Sequence, residues 1–96
     1  MTDDLELVIL QAAQADLLEI YVRFGERAEA RIDRSLELLR EQPKIAPVFE
    51  GNLRRFVVSG SPFGIFYFVY PTRVVISAVL DLRQEPKWIR KRLEGN

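Results

Sequence analysis

Residues 63–82 read FGIFYFVYPTRVVISAVLDL, two apolar runs of β-type composition separated by Pro71-Thr72. In the first run, Phe63, Ile65, Tyr67 and Val69 fall on one face of an extended strand, and Phe66, Phe68 and Tyr70 on the other, because successive side chains alternate. Apolar residues on both faces predict a central strand, covered on two sides. A third β-type run, LRRFVVS at 53–59, precedes it across Gly60-Ser61-Pro62. Links this short make neighbouring strands antiparallel, since a parallel crossover needs about a dozen residues or more. The C-terminal half is therefore expected to be an antiparallel meander.

Moving outward, PKIAPVFEGN at 43–52 holds two prolines and a glycine and reads as a loop. Before it the apolar period becomes helical. Ala28, Ile32, Leu36 and Leu39 form one stripe of a helix from about Glu26 to Glu41, ended by Pro43. On its flanks Glu26, Glu29, Asp33 and Glu37 sort to one edge, and Arg27, Arg31 and Arg34 lie nearer the opposite face. Ala13, Leu17, Ile20, Tyr21 and Phe24 mark an earlier helix, with Gly25 where a helix end commonly turns left-handed. LELVIL at 5–10 predicts a first strand whose direction in the sheet stays open. Pro86 opens a last short helix running to about Leu93. The predicted order is β-α-α-β-β-β-α: a two-layer α+β domain spanning 1–96, with a helical hairpin packed on a small, mostly antiparallel sheet.

With 96 residues the chain supports one core, burying roughly two thirds of its unfolded surface. It has no cysteine and no histidine, so disulfides, thiolate metal sites and the commonest general base are all excluded. No metal or cofactor is expected. Pro62, Gly64, Pro71 and Arg73 break the apolar stretches well short of the ~18 residues of a membrane span. The opening MTDDLE has no basic region ahead of an apolar stretch, so a secretory leader is not expected and the reading is cytoplasmic. The net charge is zero but unevenly spread. Residues 1–50 carry six cations against eleven acids, and residues 51–96 carry eight against three, balances of −5 and +5. Either the C-terminal half meets an anionic partner or the two halves neutralise each other within the fold.

Three pieces of sequence, in order, resemble the RelE/ParE superfamily of type II toxins, the plasmid-stabilisation proteins. The first is the A-x-x-D-L-x-x-I-Y pattern at Ala13, Asp16, Leu17, Ile20 and Tyr21. The second is the P-x-x-x-P-x-F-x-G run at Pro43, Pro47, Phe49 and Gly51, followed by Arg54, Arg55 and Phe56. The third is the C-terminal stretch SPFGIFYFVYPTRVVISAVLDLRQEPKWIRKR, with its strand-end arginine, Arg83. The resemblance implies a growth-inhibiting toxin neutralised by a cognate antitoxin. It implies action either by poisoning DNA gyrase, in the ParE-like branch, or by cutting messenger RNA on the ribosome, in the RelE-like branch, with a non-toxic family member acting as a binding module as a third alternative.

The residues favour the first. A ribonuclease without histidine must activate the ribose hydroxyl and stabilise the charged phosphorane with arginine, lysine, glutamate or tyrosine. Arg55 and Arg83 are the catalytic candidates, and Arg54, Arg55 and Arg83 are expected to converge at one sheet edge. Yet Tyr21, Tyr67 and Tyr70 all precede Arg83, and Trp88, which stands in the following region, cannot accept a proton. The candidate binding set is Arg54, Arg83, Lys87, Trp88 and Arg90, a docking edge more than a catalytic centre. Each also has a structural use. Arg54 and Arg55, being adjacent, point to opposite faces, so one is free to lie along the helices or pair with an acid such as Glu37. Arg83 has Asp81 two residues away on the same strand face. Trp88 either packs the last helix onto the sheet or stacks on a base, and Arg90, Lys91 and Arg92 suit the negative end of that helix.

Overall fold

The computed structural model describes residues 5–95; the opening residues through Asp4, among them Asp3 and Asp4 of the acidic half, and Asn96 lie outside that range. The element order is β1 (Glu6–Ile9), α1 (Gln11–Glu41), β2 (Val48–Glu50), β3 (Leu53–Val57), β4 (Phe63–Val69), β5 (Arg73–Asp81) and α2 (Pro86–Glu94). The five strands form one sheet in the order β1-β5-β4-β3-β2. The aromatic strand β4 lies at its centre, as its two apolar faces require. β2 to β5 pair antiparallel, each with the next in sequence, whereas β1 lies parallel to β5, with Glu6 opposite Arg73 and Ile9 opposite Ile76. The α+β class holds, and the open question of the first strand's direction is answered by a parallel pairing. All of α1 and three strands separate these two partners, ample length for the crossover.

One boundary differs from expectation. The segment read as a loop contains β2, a three-residue edge strand whose residues are all exposed. Pro47 and Gly51 bracket it closely enough to hide its β character. The two expected helices are both present within α1 and meet at a kink at Gly25, where φ 82° and ψ −167° leave helical geometry. That backbone conformation is open to glycine and strained for other residues.

Helix α1 covers one sheet face. Ala13, Leu17 and Ile20 before the break, and Ile32, Leu36 and Leu39 after it, join Phe63, Ile65, Tyr67, Val74, Ile76 and Val79 in the main core. A smaller core on the opposite face gathers Leu53, Phe66, Ala78 and Leu80, against which Ile89 and Leu93 of α2 pack. β5 serves both cores through a bulge. Tyr67 pairs with Ile76 but Phe66 with Ala78, so Ser77 is an extra residue in β5. It shifts the alternation by one, sending Val74, Ile76 and Val79 to the α1 side and Ala78 and Leu80 to the α2 side. Among the described residues no helix is long and apolar enough to cross a membrane.

Candidate functional site

The adjacent arginines of β3 divide between the two faces, following their register. Arg54 lies opposite Tyr67, on the α1 side. Its Nη1 donates to the Ala46 carbonyl at 2.6 Å, and the Tyr67 hydroxyl donates to the Pro43 carbonyl at 2.8 Å. Together they hold the 43–47 segment against the sheet. Burial is the main reason the Tyr67 phenol titrates above its ordinary range. Arg54 is thus a structural clamp, and Glu37, suggested as its partner, pairs with Arg40 instead.

Arg55 lies opposite Phe66, on the α2 side. Its guanidinium sits 4.8 Å from the Phe49 ring centroid, and Phe49 in turn meets Phe66 edge-on at 5.5 Å. This stack forms one wall of a cleft of about 240 Å³ between β2, β3 and α2. Arg90 faces it and donates to Glu50 at 3.0 Å, bridging α2 to the edge strand. Among the described residues Glu50 is the one carboxylate lining the cleft, and no tyrosine lines it.

Arg83 is elsewhere. Asp81 lies opposite Phe63 and so belongs to the α1 side of the sheet. Arg83 grips it in a fork, Nε to Oδ1 at 3.0 Å and Nη2 to Oδ2 at 2.7 Å, while the Arg83 backbone N–H donates to the same carboxylate at 2.9 Å. The bond to Arg83 is the largest effect holding the Asp81 carboxyl below its ordinary range, and the same bond raises the arginine. The expected convergence of Arg54, Arg55 and Arg83 does not occur. Adjacency separates the first two, and the Ser77 bulge, which puts Asp81 on the α1 side, separates Arg83 from Arg55.

The cations of α2 also sort by direction. Arg90 and Arg92 turn back onto the body, to Glu50 and Asp16, whereas Lys87 and Lys91 flank Trp88 with their ammonium groups 5.5 and 5.7 Å from its ring. Trp88 is 54% exposed and does not pack the helix onto the sheet. Ile89 and Leu93 do that instead, being one turn apart on the inward side.

Two features stand outside the candidate set read from the sequence, which met Asp16 only as part of a family-like pattern. Asp16 on α1 accepts the Val79 backbone N–H at 3.0 Å and the Arg92 guanidinium at 2.8 Å, tying α1, β5 and α2 at one point. Val79 lies beyond the end of β1 along β5, so its N–H has no strand partner on that side and the carboxylate replaces one. Burial dominates the upward shift of the Asp16 carboxyl, and the two donors oppose it. The second feature is Leu18 and Val22, 65% and 77% exposed on the outer side of α1, an apolar pair one turn apart. The spacing could have flagged it, since both residues fall off the buried stripe.

A family model described as "ParE toxin of type II toxin-antitoxin system, parDE" matches residues 7–86. Among solved structures, a chain of the chromosomal ParDE toxin-antitoxin system from P. aeruginosa shares 19% identity at a TM-score of 0.66, covering 81% of this chain and 96% of its own. A copper-bound mutant toxin from Helicobacter pylori shares 13% identity at a TM-score of 0.65, covering 80% of this chain and 93% of its own. At these identities the two structures establish likeness of fold. No curated protein sequence matches the chain.

Proposed function

Because this chain belongs to the ParE toxin family of type II toxin-antitoxin systems, we propose that it inhibits growth in the cytoplasm by binding an essential protein target such as DNA gyrase, and that a cognate antitoxin neutralises it. The observation that carries this reading is the separation of Arg55 and Arg83. Cleavage of RNA through these two residues needs both on one scissile phosphate. Here they serve opposite faces of the sheet, and Arg83 is turned onto the Asp81 carboxylate through two of its donors. Binding makes no such demand. A protein target can be met by a surface that already holds its own shape.

The test is induced expression without the antitoxin, with plasmid supercoiling and protein synthesis followed separately, and purified protein added to gyrase. Loss of supercoiling ahead of any fall in translation is the expected result. Cleavage of ribosome-bound messenger RNA by the purified protein, abolished by Arg55→Ala, would overturn the reading. That second, ribonuclease reading draws support from the cleft itself, where Arg55, Arg90 and Glu50 stand together.

A further inference from the structure

We propose that the outward face of α2, centred on Trp88, binds a single-stranded nucleic acid by stacking a base on the indole between two phosphate-contacting lysines. The helix divides its side chains into two sets. Ile89, Leu93, Arg90 and Arg92 are committed to the body of the protein. Trp88, Lys87 and Lys91 are turned away from it, with the largest apolar side chain of the helix more than half exposed. Lys87 has a loose ion pair, 3.7 Å from Glu85, both groups being well exposed, and such a pair exchanges readily for a stronger anion.

An exposed aromatic ring with two ammonium groups within 6 Å of its centre matches the two parts of a nucleotide strand, a flat base and flanking phosphates. The same arrangement fits other anionic partners less well. An acidic peptide would use the lysines and leave the ring idle. An anionic membrane calls for a broad apolar helix face, and the aliphatic residues of α2 are already spent on the sheet. This inference is independent of the choice between gyrase and ribosome as target, since it concerns the free protein and a bare strand.

The chain has one tryptophan, so its intrinsic fluorescence reports this site directly. The experiment titrates the full chain at low salt with a 12-nucleotide single-stranded DNA, an RNA of the same sequence, the DNA duplex and polyglutamate. Saturable quenching by either single strand is expected, the stronger of the two identifying the natural source, with weaker quenching by duplex. The affinity should fall with salt at a logarithmic slope of about −1.4, the value for two phosphates on a single strand. Lys87→Ala with Lys91→Ala should abolish saturation while leaving the melting temperature unchanged. Trp88→Ala should weaken binding of a labelled strand roughly tenfold. Absence of quenching by both strands, equal quenching by polyglutamate, or unchanged binding by the double lysine variant would each overturn the proposal. None of these outcomes bears on gyrase inhibition, which is measured by supercoiling.

Discussion

Replacing Asp16 by alanine tests the junction of α1, β5 and α2. The change removes the acceptor of the Val79 N–H and the carboxylate facing Arg92, whose Nη1 is already buried with no partner among the described residues. An orphaned, part-buried backbone N–H costs about 1–2 kcal/mol. Side-chain exposures of 27% for Arg92 and 15% for Asp16 keep the ion pair well short of the fully buried case, so its loss contributes about 1 kcal/mol. Against this, the variant no longer desolvates a carboxylate. A net loss of about 2 kcal/mol follows, a fall in melting temperature of roughly 8–16 °C for a domain this small. Asp16→Asn keeps an acceptor for both donors and should lose less than about 1 kcal/mol.

Thermal and urea melts of the three proteins at pH 7 make the comparison, and equal stability of the alanine and asparagine variants would refute the reasoning. The pH dependence adds a signed check. The Asp16 carboxyl is raised in the fold, so the folded state binds its proton more tightly than the unfolded chain does. Wild-type stability relative to Asp16→Asn should therefore grow as the pH falls from 7 toward 3.8, the unfolded value.

Gly25→Ala meets no atom within 4 Å, so its cost is that of the backbone alone, about 1–3 kcal/mol by chemical denaturation. A β-carbon on Gly64 would approach the Leu82 side chain to 2.9 Å, and Gly64→Ala should lose about 1 kcal/mol as Leu82 shifts against the α2-side core. Arg83→Ala should leave the fold intact, and its effect should be confined by pH. Because Arg83 lowers the Asp81 carboxyl, any advantage of the wild type is present above pH 3.8 and disappears as the pH falls through the lowered value, which acid titration of both proteins would reveal. Tyr67→Phe removes the bond to the Pro43 carbonyl and should lose about 1 kcal/mol in urea melts.

What the sequence revealed depended on how local the signal was. Alternating aromatics placed β4 at the centre, Pro43 and Pro86 bounded the helices, and Gly25 marked the break, because each acts through its own backbone or nearest neighbours. The opposed directions of Arg54 and Arg55 followed from adjacency alone. The parallel pairing of β1 with β5, and the tie between Asp16 and Arg92, join distant parts of the chain and have no counterpart in periodicity. Of the two uses open to Trp88, its exposure removes packing onto the sheet, because the smaller Ile89 and Leu93 hold the inward positions. The supposed cluster of arginines failed on the adjacency of Arg54 and Arg55 and on the bulge at Ser77, and a lone serine in an apolar run announces no bulge.

That serine makes chain length a determinant of surface chemistry. If a single codon were lost at Ser77, the residues after it would exchange faces, and Arg83 would emerge on the side of the sheet that holds Arg55. Ala78 and Leu80 would leave the small core in the same step, so the swap would succeed only with compensating changes in α2. Two relatives of this fold could then differ in which arginines share a face without differing in a single arginine.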